Sequence, residues 1–203
     1  MKRMRTTIFF LLLGLSAAAQ TKERAPFTGK GLLRAMATIS PGMMTAQSAN
    51  NLYLHGNIEY YLDRKISLRG DGYYFLGTAA EDKPFAKNHS LFAGASLHRP
   101  TGSHFDPYIG LKTGLSITQN GGPHILIVGA EPETKFNPLL SPHLGINFYG
   151  EKVFHIFGEV NYVIGKHFPD HEAATSLGEV RVSFGLGFNL WARKKAPLPG
   201  GPH

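Results

Sequence analysis

Ten histidines, several serines and no cysteine set the range of chemistry open to this chain of 203 residues. Serine hydrolysis needs a hydroxyl within reach of an imidazole that an acid in turn orients. The nearest approaches are Asn88-His89-Ser90 and Ser141-Pro142-His143, with Glu159 as the candidate acid. On an extended strand Ser141 and His143 point the same way, which permits a hydrogen-bonded pair. Nothing in the sequence supplies an oxyanion hole, and Ser and His serve equally well as plain hydrogen-bonding groups. No catalytic residue is assigned. The densest set of metal-ligand types is His167-Phe168-Pro169-Asp170-His171-Glu172. Pro169 breaks any helix that would align His167 with His171, and loop histidines commonly face water, so no metal and no cofactor is assigned. The missing cysteines remove disulfides, thiolate metal sites and thiol catalysis. Glycines recur at every second residue instead of forming a phosphate-cradling motif.

The elements that would have to position any such group are strands. From Lys30 to Trp191 apolar residues recur with period two, and no segment sustains a helical period. The clearest stretch puts Leu52, Leu54, Gly56, Ile58, Tyr60 and Leu62 on one face, and Asn51, Tyr53, His55, Asn57, Glu59 and Tyr61 on the other. The next sets Ile66, Leu68, Tyr74 and Leu76 opposite Arg69, Asp71 and Tyr73. Similar alternation marks 31–40, 90–98, 105–117, 138–149, 153–165 and 176–191, which makes eight strands. Each is about as long as the 9–11 residues a tilted strand needs to cross a bilayer.

Charge separates the two faces. The apolar faces, Gly178 of the last strand included, comprise 44 positions without a charged residue, in a chain where 17% of residues are charged. The opposite faces carry Arg34, Glu59, Arg69, Asp71, Lys112, Glu159, Glu179 and Arg181. An uncharged exterior around a polar interior is the pattern of a membrane barrel, and closure lets strands satisfy their backbone groups in lipid. The connections 41–50, 63–65, 77–89, 99–104, 118–137, 150–152 and 166–175 run 10, 3, 13, 6, 20, 3 and 10 residues, long alternating with short. Short turns at one rim and long loops at the other are expected of such a barrel. Under this threading Tyr60, Phe148, Phe154 and Phe188 fall near the inner rim, and Tyr74 and Tyr162 near the outer rim. Those would be the two aromatic girdles. The expected fold is all-β: an eight-stranded antiparallel transmembrane β-barrel with up-and-down meander order. Its competitor is a soluble, exported, lipocalin-like barrel with the same alternation turned inside out and an apolar ligand within.

The last strand sharpens the choice. Ser183-Phe184-Gly185-Leu186-Gly187-Phe188-Asn189-Leu190 follows a polar-x-Gly-x-x-apolar-x-apolar pattern through Ser183, Gly185, Phe188 and Leu190. With the alternation over 30–191, the chain resembles the eight-stranded outer-membrane barrels typified by the OmpA transmembrane domain and by OmpX. The likeness lies in architecture more than in any signature sequence. It implies that the last-strand segment is an insertion signal engaging the barrel assembly machinery, in a Gram-negative-type envelope. It also implies a monomer surrounded by outer-membrane lipid, lipopolysaccharide included. A few small barrels of this kind are lipid A or phospholipid acyl-modifying enzymes, and a narrow porin-like channel is a further alternative. One departure is that Ala192–His203 follows the last strand as a basic, Pro/Gly-rich tail, too short for a peptidoglycan-binding domain.

Residues 1–19 read as an export signal, with Lys2, Arg3 and Arg5 before the apolar run Ile8–Leu15 and small residues Ala17–Ala19 after it. Its removal lowers the formal charge from +7 to +4, which leaves little electrostatic support for nucleic-acid binding. A periplasmic segment 20–29, a barrel 30–191 and a periplasmic tail 192–203 would follow, with both mature termini periplasmic. The four basic and four acidic inward residues suit a plug of ion pairs, because an eight-stranded lumen is just wide enough for side chains to fill. A selective pore would be lined by one sign of charge. Glu59 is expected to pair with Arg69 across the 63–65 turn, and Arg34 to join Glu179 and Arg181 where the last strand closes on the first. The loop 118–137 contains the apolar stretch His124–Gly129. It would add a strand to an extracellular ligand, rise as a hairpin, or bring the strand count to ten. The functional expectation is a structural or surface-interaction barrel with a closed lumen and no turnover.

Overall fold

Alternating inward and outward side chains close into one sheet. The computed structural model describes residues 28–79, 84–120, 134–150, 153–168 and 174–191, so the expected export signal 1–19 and the tail 192–203 lie outside the described residues. The strands are β1 (Leu32–Met44), β2 (Asn50–Tyr61), β3 (Ile66–Thr78), β4 (Phe85–His98), β5 (Phe105–Asn120), β6 (Thr134–Phe148), β7 (Phe154–His167), a two-residue β8 (Thr175–Ser176) and β9 (Glu179–Trp191). The eight long strands pair antiparallel in chain order, and β9 returns to β1 to close the barrel. The short β8 pairs only with the end of β7, at Lys166 and His167. Among the described residues the barrel has eight strands and not ten, since Thr134 takes up the ladder opposite Gln119.

The strands run further than the sequence suggests at the long-loop end. The connections expected at 41–50, 77–89 and 118–137 are 45–49, 79–84 and 121–133. Loop length therefore alternates less sharply than anticipated. Inward residues above the charged zone include the apolar Met44, Phe75, Phe85, Leu139 and Val163 beside the hydrogen-bonded Thr118, Asn137 and His167, so the strands keep a core to pack on while the ladder continues to satisfy their backbone groups. Gly178, expected on the outward face, lies buried just before β9 and accepts a 2.8 Å bond from the Thr45 N–H.

Outside and inside are inverted relative to a water-soluble barrel. Leu91 is 67% and Phe184 69% exposed, whereas Arg69 is 4% and Lys112 1% exposed. The apolar side chains form a continuous belt, and an exposed apolar surface of that extent needs a nonpolar environment. Inside, size alternates across the ladder: Gly94 stands opposite Lys112, Gly110 opposite His143, Gly114 opposite Phe92, Gly145 opposite Tyr108 and Gly187 opposite His155. Each missing side chain makes room for a large neighbour, as the taper of a small barrel requires.

Two ladders lapse, each for a local reason. The β6–β7 pairing breaks between Leu140 and His143, at Pro142, which has no N–H to give. The β1–β9 pairing breaks between Met36 and Gly42. There the Thr38 hydroxyl donates to the Phe184 carbonyl at 2.6 Å, and the Ser40 hydroxyl to the Val182 carbonyl at 2.9 Å. Side-chain hydroxyls replace backbone donors along this part of the seam.

Candidate functional site

The polar inward side chains meet in the lumen, stacked in layers along the barrel axis. At the inner end Arg34 pairs with Glu59 and lies 3.8 Å from Asp106. His98 bridges both acids, with Nε2 at 3.1 Å from Glu59 and Nδ1 at 3.0 Å from Asp106. Tyr61 and Tyr149 donate to Asp106 at 3.1 and 3.2 Å, and the Arg34 guanidinium lies over the Tyr61 ring.

In the middle layer Arg69 holds Asp71 at 2.7 Å and Glu159 at 2.6 Å. Lys112 approaches the same two carboxylates at 3.2 and 3.6 Å and donates to Asn161 at 2.6 Å. His55 reaches Asp71 at 3.0 Å, and the Tyr108 hydroxyl donates to Glu159 at 2.7 Å. Above it Arg181 pairs with Glu179 at 2.6 Å, donates to Ser90 at 2.7 Å, and sits over the rings of Tyr53 and Tyr73. Asn51 and Tyr53 complete the shell of Glu179, at 2.7 and 2.9 Å. The outer end is then capped by an apolar cluster that includes Met44, Phe75, Phe85, Leu139, Val163 and Leu177.

The eight inward charges anticipated from the sequence all lie buried in this stack, but two of their pairings differ. Glu59 does stand level with Arg69 on the ladder, yet it bonds Arg34, its cross-strand partner on the other side. Arg69 turns instead to Asp71 and across the lumen to Glu159. Arg34 does not join Glu179 and Arg181. The closing ladder puts it opposite Asn189 and sets Arg181 opposite Gly42, well up the strand. Sequence reasoning also missed Asp106, His98 and His55. Asp106 lies within the expected strand 105–117 and shares the parity of Lys112, so alternation alone marks it as inward.

The hydrolase reading meets a different geometry from the one weighed. Among the described residues Ser141 Oγ has no hydrogen-bond partner, and His143 turns its Nε2 to Ser96 at 2.9 Å. Ser90 serves Arg181 while His89 accepts the Phe75 N–H. Two unforeseen chains have the order serine, histidine, aspartate. Ser183 Oγ lies 2.9 Å from His55 Nδ1, whose Nε2 faces Asp71, and Ser67 Oγ lies 3.0 Å from His98 Nε2, whose Nδ1 faces Asp106. Both serines are buried, and both aspartates are shared with other donors. Enclosed hydroxyls of this kind bond the lumen together.

His55, Asp71 and Glu159 approach closely enough to offer three ligand atoms to a cation. Arg69 and Lys112 already neutralise both carboxylates, so an added cation would meet two buried positive charges. Of the histidine-rich stretch, His167 is not a loop residue: it ends β7, is buried, bonds Thr118 at 2.8 Å and packs edge-on against Phe85. Asp170, His171 and Glu172 lie outside the described residues, as does the segment His124–Gly129.

On the outside, Tyr60, Phe148, Phe154 and Phe188 are exposed at one end of the barrel, and Tyr74 and Tyr162 towards the other. Phe154 packs on Phe188 with ring centroids 5.2 Å apart. Along β9, Ser183 points inward to His55 and Ser40, Gly185 faces Phe157, and Phe188 and Leu190 point outward.

No protein-family model matches the chain, and no curated protein sequence matches it. Solved structures do. The outer membrane protein OprG from Pseudomonas aeruginosa aligns with TM-score 0.58 and 12% identity, over 80% of this chain and 97% of that one. Neisserial surface protein A gives 0.57 and 15%, over 79% and 98%. The N-terminal β-barrel domain of Pseudomonas aeruginosa OprF gives 0.54 and 14%, over 80% and 100%. A closed eight-stranded antiparallel barrel is the architecture these chains share, and in fold this protein resembles the eight-stranded outer-membrane β-barrels.

Proposed function

We propose that this protein is an integral outer-membrane barrel with a structural or surface-interaction role, closed along its axis and without intrinsic turnover. The observation that carries the reading is the filled lumen. Three ionic layers, each with its charges paired, lead to an apolar cap, and no single sign of charge lines a path as a selective pore would need. The exposed apolar belt supports lipid as the surrounding medium. In this reading the chain is exported through residues 1–19, both mature termini face the periplasm, and a single copy sits among outer-membrane lipids, lipopolysaccharide included. Ser183–Leu190 engages the assembly machinery, and the loop 118–137 is the place for an extracellular ligand.

Single-channel recording in planar bilayers tests the closed lumen. Inserted protein should give no reproducible conductance steps, and steady steps would support the narrow-channel alternative instead. Incubation with lipopolysaccharide and phospholipid tests the enzymatic alternative, with acyl release or transfer as the contrary result.

A further inference from the structure

Cations that are scattered in the sequence converge at the inner rim. Lys30 precedes β1, Arg64 and Lys65 occupy the β2–β3 turn, and Arg99 opens the β4–β5 connection; all four are exposed. The backbone makes these points neighbours. The Gly31 N–H bonds the Tyr61 carbonyl at 3.0 Å, the His98 N–H bonds the Lys65 carbonyl at 2.7 Å, and the Arg99 N–H bonds the Pro107 carbonyl at 2.9 Å. None of the four cations forms an ion pair among the described residues. Asp63, in the same turn, is engaged by its own backbone: its carboxylate accepts the Lys65 and Ile66 N–H groups at 2.6 and 2.8 Å.

The rim is therefore two-sided. Over β5, β6, β7 and β9 aromatic outward residues pack in pairs, Phe105 against Phe148 at 5.1 Å and Phe154 against Phe188 at 5.2 Å, with Tyr60 of β2 standing apart from them. At the β2–β3 turn and the end of β4 the exposed aliphatic side chains Leu62, Ile66 and Leu97 stand within two residues of Arg64, Lys65 and Arg99, and Ile66 pairs with Leu97. Long cationic side chains beside an apolar wall carry their charge to headgroup depth, and clustered Lys and Arg there attract anionic lipid.

We propose that the β2–β3 turn and the start of the β4–β5 connection form a seat for one anionic phospholipid of the inner leaflet. Its phosphate would lie among Arg64, Lys65 and Arg99, and its chains along Leu62, Ile66 and Leu97. The proposal rests on the membrane reading above and adds a partner and a side of the barrel to it.

Mass spectrometry of the intact barrel, released from vesicles of equal phosphatidylglycerol and phosphatidylethanolamine, tests it. The parent protein should retain phosphatidylglycerol preferentially. The variant carrying Arg64→Gln, Lys65→Gln and Arg99→Gln should lose that preference by roughly an order of magnitude, while keeping its heat-modifiable gel migration. A control with Lys87→Gln and Lys166→Gln, at the opposite end, should keep the preference. Equal lipid retention by the parent and the triple variant overturns the seat. Co-sedimentation of the parent, but not of the triple variant, with insoluble peptidoglycan in the absence of any lipid preference would give these cations to a glycan instead. Failure of the parent to enter vesicles at all would overturn the membrane reading together with the seat.

Discussion

Arg69 bonds two carboxylates at once, Asp71 on its own strand and Glu159 across the lumen, so its loss strands two buried negative charges with only Lys112 between them. Removing one member of a buried pair typically costs about 3–5 kcal/mol. Arg69→Ala should therefore lower the urea midpoint of the barrel in detergent or lipid, whereas Lys87→Ala, an exposed cation, should leave it unchanged. An unaltered midpoint for Arg69→Ala would show that the middle layer does not hold the barrel together. The serine–histidine–aspartate chains make a second expectation: Ser183 and Ser67 should not react with a serine-directed phosphonate while the barrel is folded, and labelling would mean that the lumen admits small molecules. At this scale the sequence told that eight charges face inward, because parity along a strand fixes the face, although the same parity was not carried to Asp106. It did not tell their partners. Arg69 meets Glu159 across the lumen, and such contacts depend on closure and curvature, which period-two reasoning does not contain.

Glycines and turns set how the strands fit one another. A Cβ added at Gly94 would run into the Leu111 carbonyl and the backbone of Lys112, which cannot yield without parting β4 from β5. Gly94→Ala should destabilise by about 1–3 kcal/mol, while a similar change at Gly70, whose nearest neighbour would be the Phe92 carbonyl at 3.9 Å, should be mild; equal effects at the two sites would refute the close-approach argument. The β2–β3 turn adds a pH term. Two backbone N–H groups hold the Asp63 carboxyl below its ordinary range. Its stabilisation is thus fully present above the unfolded-state pKa and lost as pH falls through the lower folded value. Asp63→Ala should flatten that acid limb of an unfolding-versus-pH profile, and an unchanged limb would assign the acid sensitivity elsewhere. Strand centres and faces were legible because charge is excluded from one parity over the whole barrel. The outer strand ends were not, since 41–44, 85–89 and 134–137 mix Pro, Gly and polar residues and read as loop. Met44 and Phe85, at inward positions in the first two, show what keeps those in the sheet.

Over the whole molecule, the layers divide the labour of closing the barrel. Charged side chains are buried only where each finds a partner, and the end that extends past them is sealed by apolar packing. The meander order followed from chain-wise alternation alone, and the strand count from turn spacing. The apolar cap was not read in advance, because Met44 and Phe85 come from segments taken for connections, and Phe75, Leu139 and Val163 are inward apolar residues at strand ends whose convergence only closure brings about. All of this presumes that the outward belt, from Ile58 round to Phe184, meets lipid and not water. The most direct measurement is partition of the refolded chain, without denaturant, between buffer and lipid vesicles, with alkaline or urea washing of the membranes and gel migration before and after boiling. The account predicts recovery in the washed membranes, with a folded band that shifts on heating. A chain that stays monodisperse in buffer without detergent would contradict it, and would turn the barrel's apolar belt into a feature in need of another explanation.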